Sequence, residues 1–329
     1  MSRRTLLAGL GAATAMFFLL SLLTGPASYG PVESLRALVA GGDEAAAIIL
    51  REIRLPRALL GLAIGFSLGA AGAALQGFLR NPLAEPGIIG VSASASLGAV
   101  TIFYSGLAGA SILALPAGAL VGALASVMLL LAIAARHGST LTLILSGVAL
   151  SSLAGALTSL ALNLSPNPFA SYEIIFWLLG SLKDRSMVHV WIALPLMLAG
   201  CAMLFASARA LDALTLGEES AASLGIDMSR ARLMVVAGVA LAVGAATAVA
   251  GAIGFIGLVV PHLVRPLTDR MPGSLILPAG LGGGALLLAA DVAVRVMIPA
   301  RELNVGVLTA LIGAPFFLWL VARTRREAF

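Results

Sequence analysis

The residues able to do chemistry are few and fall in three places. Arg54 and Arg57 stand three apart in RLPR, so a helix running through them puts both guanidiniums on one face. Asp291 and Arg295 stand four apart inside an apolar run, a spacing that lets them pair on one helix face. Glu218 and Glu219 sit side by side in LDALTLGEESAASLGID, residues 211–227. Paired guanidiniums suit the grip of carboxylates on another protein, a geometry that ammonium groups serve less well. For an arginine at a membrane interface, snorkelling to lipid headgroups is the alternative. A carboxylate within an apolar segment suits either ion coupling or a structural pair with an arginine. Asp291 is the one clear candidate for the first, and the partnered reading is the simpler.

Enzyme chemistry is not written in this chain. There is no G-x-x-x-x-G-K-[ST] loop, and the only lysine, Lys183, follows Gly-Ser-Leu. There is no H-E-x-x-H metal motif, and GFSLG (65–69) lies inside an apolar span, not at the strand-to-helix elbow of a G-x-S-x-G nucleophile. No catalytic residue, metal ligand or cofactor is therefore expected here, and ATP and Mg²⁺ belong to a partner. The single cysteine, Cys201, lies in an apolar run, which excludes a disulfide or zinc framework within one chain and suits a small packing residue. His137 and His189 fall at segment boundaries; His262 stands in VVPHLVRP.

What must position these residues is a membrane bundle. The sequence is 60% hydrophobic and 11% charged over 329 residues, with a mean hydropathy of +1.06, more apolar surface than a soluble core could absorb. One polytopic all-α domain, 1–329, is expected. The net charge of +5 does not point to nucleic acid, because the basic residues scatter at segment ends instead of forming a stripe. Ten spans follow from the apolar runs: 5–23, 54–79, 88–105, 110–135, 141–163, 188–207, 233–250, 253–264, 275–296 and 305–321. Residues 30–53 read as an outer loop, and 165–185 as an amphipathic piece at the interface. The start, MSRRTLLAGL, has the look of a signal peptide with a twin arginine, but 5–23 is long enough to span, which favours an uncleaved first helix. An N-terminus in the cytoplasm puts twelve of the twenty basic residues inside, so both termini are expected there.

Residues 211–227 then face the cytoplasm. Leu211, Leu214, Leu216, Ala221 and Leu224 recur as two short amphipathic turns broken at Gly217, with Glu218 and Glu219 opening the second turn and Gly225 closing it. Such an element suits contact with another protein, or else it is a packed connection between two spans. The many glycines within spans, as in GLAIGFSLGAAGAALQG, favour close helix packing in lipid.

The runs RLPR (54–57), GAALQGFLRNPLAEPGIIGVSASASLGA (72–99), LSGVAL (145–150) and FWLLGSL (176–182) resemble the membrane permeases of type II ABC importers. So do LGEESAASLGID (216–227), GAIGFIGLVVPHLVRPLTD (251–269), AAD (289–291) and NVGVLTALIGAPFFLWL (304–320). This is the FecCD family of vitamin B12, haem and ferric-siderophore permeases, and the resemblance covers about residues 50–322 in order. It implies a homodimer of ten-helix chains in the bacterial inner membrane, two cytoplasmic ATP-binding subunits and a periplasmic substrate-binding protein. By that resemblance Leu216, Gly217, Glu218, Glu219, Ala221, Leu224 and Gly225 couple to the ATPase, and Arg54, Arg57 and Arg295 dock the binding protein. Asn81, Pro82 and Leu83, with Ser139, Thr140 and Leu141, match the cytoplasmic gate. No Met, Cys or His cluster marks a metal path. The commonest cargo of the family makes an iron chelate (ferric siderophore or haem) the expected substrate, with cobalamin next and a small oxyanion further off. The rival class is an ion-coupled secondary transporter or channel working without an ATPase.

Overall fold

Each long apolar run in the sequence is helical in the computed structural model, which describes residues 2–25, 29–30, 32–34, 37, 44–137, 140–165, 168–297 and 303–327. In chain order the helices are α1 (Arg3–Leu23), α2 (Glu44–Ile48), α3 (Leu55–Phe78), α4 (Val91–Tyr104), α5 (Ala114–His137), α6 (Thr140–Asn163) and α7 (Pro168–Leu178). Then come α8 (Met187–Ala206), α9 (Ala208–Leu214), α10 (Glu218–Ser223), α11 (Met228–Ala250), α12 (Ile256–Val264), α13 (Pro272–Met297) and α14 (Val305–Glu327).

Among the described residues, eight helices are long and apolar enough to cross a membrane: α1, the continuous run Ala45–Phe78, α5, α6, α8, α11, α13 and α14. The third and eighth expected spans are the shorter helices α4, of 14 residues, and α12, of 9. At ~1.5 Å per residue α4 covers about 21 Å, so its neighbouring connections must supply the rest of any crossing. The helix that carries the second span begins earlier than hydropathy suggests. Residues 30–53 read as a loop because they carry mixed charge, yet Glu44–Ile48 and a π-helical turn, Ile49–Arg54, run straight into α3. Arg51 and Glu52 face out while Ala46 and Leu50 pack with Ala37 and Tyr29 as a small separate core.

Local sequence sets the helix ends. The Ser2 hydroxyl accepts the Thr5 N–H at the start of α1, and Asp227 Oδ1 accepts the Ser229 and Arg230 N–H groups (2.9 and 3.0 Å) at the start of α11. Ser186 and His189 form a reciprocal cap at the start of α8, which fits the boundary role expected of His189.

The centre of the bundle is α3 with α11 and α13; nearly every residue of α3 from Gly65 to Phe78 is buried. In lipid there is little hydrophobic drive between helices, so closeness of approach decides packing. Gly65 and Gly69 on α3 lie against the backbone of Gly283 and Ala279 on α13, where any side chain would strike a carbonyl oxygen. Gly72 meets Gly257 of α12 in the same way. Cys201 is buried on α8 with its Sγ 3.8 Å from the Ser67 hydroxyl of α3, a packing contact. Towards the edge the pattern reverses: most residues in the apolar stretches of α6 and α14 are not buried, so both present apolar faces outward.

Candidate functional site

Polar groups gather at the two ends of the antiparallel pair α3 and α13. At one end Arg57, on the first turn of α3 behind Pro56, reaches across to Asp291 of α13. Its Nη2 lies 2.9 Å from Asp291 Oδ1, and its Nε donates to Oδ1 and Oδ2 at 3.0 and 3.2 Å. Arg295, one turn further along α13, closes on the other oxygen, with Nη2 2.9 Å from Oδ2. The same guanidinium donates to the Ser21 and Thr24 carbonyls (2.9 and 2.7 Å) and to the Ser21 hydroxyl (2.7 Å). Arg54 donates to the carbonyls of Leu22 and Leu23, both at 3.1 Å. The last carbonyls of a helix have no partner within it, and here two arginines supply one for α1.

The three arginines and Asp291 are therefore one network, none of them more than 9% exposed. Arg54, Arg57 and Arg295 line a recess of about 240 Å³ together with Thr24, Lys183 and Asp184. Four cations against the carboxylates of Asp184 and Asp291 leave the recess net positive, and its volume suits a side chain. Asp291 accordingly has the structural partner that its spacing to Arg295 suggested, and a second one, Arg57, that no local pattern could show.

At the other end of the bundle the stretch 211–227 forms the two short helices α9 and α10, broken at Gly217 (φ +99°) and closed at Gly225 (φ +83°). Both angles lie in the left-handed region that glycine tolerates without strain. Leu211, Leu214 and Ala221 pack inward, while Leu216 and Leu224 are 64% and 65% exposed. Glu219 is exposed and Glu218 half-buried, both on the first turn of α10, where the free N–H groups favour carboxylates. Two bare leucines flanking an acidic turn make a surface with an apolar and a charged part.

Asn81, Pro82 and Leu83 form the turn after α3, with Asn81 Oδ1 accepting the Leu83 N–H at 2.9 Å. Thr140 and Leu141 open α6; Ser139 lies outside the described residues. A group that spacing did not single out is Glu85, in the connection between α3 and α4. Its Oε1 accepts the N–H of Phe255 at 2.7 Å, across 170 residues, and so caps the start of α12. Burial pushes the Glu85 carboxyl above its usual range, and the Phe255 N–H opposes that rise. The signal for it was the GAIGF break before α12, a helix start without a Ser, Thr, Asp or Asn of its own. His262 stands edge-on to Phe316 of α14, ring centres 5.7 Å apart.

This arrangement, a bundle of membrane-length apolar helices with polar clusters at opposite ends, is that of a membrane permease. The model of the FecCD transport family matches residues 13–323, and the chain belongs to that family: it is a transmembrane ABC permease. It is 42% identical over 283 residues to the cobalamin import system permease protein BtuC of Halobacterium salinarum, covering 85% of this chain and 75% of the other. To the hemin transport system permease protein HmuU of Yersinia pestis it is 38% identical over 279 residues, covering 84% and 83%. Among solved structures an ABC transporter of metal-chelate type in an inward-facing conformation superposes with a TM-score of 0.87 at 31% identity, covering 97% of this chain and 99% of that one.

Proposed function

We propose that this chain is the membrane-spanning subunit of an ATP-driven importer, present as two copies, that moves an iron chelate (ferric siderophore or haem) from periplasm to cytoplasm by alternating access. The observation that carries the reading is the family match across residues 13–323, supported by the structural agreement with a metal-chelate type transporter over nearly the whole of both chains. In this reading α4 and α12 complete ten crossings and both termini lie in the cytoplasm of the cell whose inner membrane holds the protein. The outward apolar faces of α6, α7 and α14, with Leu145, Phe169, Tyr172, Leu311 and Leu318 all at least 60% exposed, are where a second copy sits.

Each polar cluster then has a task. Arg54, Arg57 and Arg295 offer their recess to a carboxylate on a lobe of the periplasmic binding protein. The element α9–α10 enters the groove of a cytoplasmic ATP-binding subunit, with Leu216 and Leu224 as apolar anchors and Glu218 and Glu219 as charged contacts. ATP and Mg²⁺ are held by that subunit. Closure of the two ATPases moves α9–α10 and switches the bundle between its two openings, with residues 81–83 and 139–141 as the cytoplasmic gate.

Reconstitution tests this. The chain is placed in proteoliposomes with its ATPase and binding protein and offered labelled ferric siderophore, haem and cobalamin in turn. Uptake of an iron chelate only with all components and ATP is the expected result. Cobalamin is the second reading, favoured by the 42% identity to a permease named for it, and uptake of cobalamin alone would replace the first. Uptake by this chain alone, indifferent to ATP, would overturn the importer in favour of an ion-coupled carrier.

A further inference from the structure

Between the end of α3, the end of α9 and the turn that enters α13 lies a cleft of about 290 Å³. Arg80, Arg265 and Arg270 line it, with Gln76, Asn81 and Thr215. No role assigned above uses these arginines. The carboxylates on the same segments are committed elsewhere. Asp212 Oδ1 accepts the Gly273 N–H at 2.6 Å, and Asp269 Oδ1 accepts the Met271 N–H and the Ser274 hydroxyl. Neither lines the cleft, and among the described residues no ion pair engages any of the three arginines.

The cleft is also built, not merely charged. Gln76, only 3% exposed, is anchored by its Nε2 donating to the Gly257 carbonyl, and its Oε1 accepts Arg265 Nη2 at 2.5 Å, which holds that guanidinium from behind. Arg80 and Arg270 sit at φ +47° and +64°. Such backbone costs a side-chain-bearing residue roughly 1–2 kcal/mol, and Arg80 occupies the position after a helix end where glycine is usual. Arginine stands twice where glycine would fold more easily, which points to a use for the side chain.

Three guanidiniums without a counter-charge call for a ligand with more than one negative charge and several acceptor oxygens. A single carboxylate would leave two cations unmatched, whereas a phosphate group accepts forked hydrogen bonds from several sides. The volume takes a phosphate and the atoms next to it, and no aromatic ring lines the cleft to stack a base. Basic pockets between helices at a membrane surface are also where phospholipid headgroups bind. We propose that this cleft binds a phosphate-bearing anion, either a phospholipid headgroup or free phosphate. Filled, it ties together the ends of α3, α9 and α13 beside Asn81 and Pro82. Only its placement on the cytoplasmic side rests on the function proposed above, and its test needs neither ATPase nor cargo.

The purified chain is placed in nanodiscs of phosphatidylcholine alone, of phosphatidylcholine with phosphatidylglycerol, and of phosphatidylcholine with inorganic pyrophosphate added. Melting temperature and retained lipid by native mass spectrometry are read for the wild type and for Arg80→Gln/Arg270→Gln. A wild-type stabilisation by phosphatidylglycerol, weakened roughly tenfold in apparent affinity in the variant, names a lipid headgroup. The same behaviour with pyrophosphate names a free phosphate. Arg230→Gln, on the first turn of α11, should leave both responses unchanged. If the double variant does not purify, Arg270→Gln alone, in an exposed turn, carries the comparison. Responses equal in wild type and variant, or none with either probe, overturn the proposal.

Discussion

Arg57 and Asp291 are 234 residues apart in the chain and meet through three nitrogen–oxygen contacts between 2.9 and 3.2 Å, in a site where the aspartate is 1% exposed. With Arg295 on its second oxygen, that one carboxylate is shared by two buried guanidiniums. Asp291→Asn removes the shared carboxylate from both, and removing one member of such a set typically costs about 3–5 kcal/mol. The expected outcome is a clearly lower melting temperature in detergent. Adding Arg57→Gln should recover part of the loss, because the two changes share one contact. Strictly additive losses would show that the network is not coupled.

If the recess docks a carboxylate of the binding protein, as proposed, it does so through forked donors. Arg57→Lys keeps the charge but cannot hold two oxygens, so affinity for the binding protein should fall roughly tenfold. The melting temperature, read alongside, separates docking from folding. Unchanged affinity would remove Arg57 from the docking surface.

Glu218→Lys with Glu219→Lys reverses the charge of the first turn of α10 while leaving Leu216 and Leu224 in place. Stimulation of ATP hydrolysis by cargo-loaded binding protein should be lost, with the elution volume of the chain on size exclusion unchanged. Retained stimulation would sink the coupling role.

Gly65→Val inserts a side chain where α3 lies on the backbone of Gly283. Overpacking of this kind costs about 1–3 kcal/mol or more where backbone is the obstacle. Lower yield and melting temperature are expected, whereas Gly11→Val on α1, which meets nothing within 4 Å, should be neutral.

The Glu85 carboxyl is raised by burial, so the folded chain holds that proton more tightly than the unfolded chain does. Its contribution is thus fully present below the unfolded value of 4.5 and is lost as pH rises through the higher folded value. Glu85→Gln keeps an acceptor for the Phe255 N–H and removes the charge. It should flatten the fall of melting temperature above pH 4.5. An unchanged slope would assign the pH dependence to other groups.

Much of the fold was legible because lipid imposes simple rules: long apolar runs became helices, and the break at Gly217 fell where the spacing of leucines changes. Less legible was anything made by distant pairs. Arg57 and Asp291, Gln76 and Arg265, and Glu85 and Phe255 are separated by 234, 189 and 170 residues, and no periodicity reports such meetings. The early start of the helix that carries the second span was hidden for a different reason. Hydropathy averages over charged residues, whereas a helix can turn Arg51 and Glu52 outward and continue.

The glycine seam between α3 and α13 has a mechanical corollary. At Gly65, Gly69, Ala279 and Gly283 the two backbones touch with no flexible side chain between them to absorb shear, so the pair is stiff there, like a strut. One end of that strut carries Arg57, Asp291 and Arg295, and the other carries Arg80 and Arg270. A displacement imposed at one end meets that stiff contact before it reaches the other.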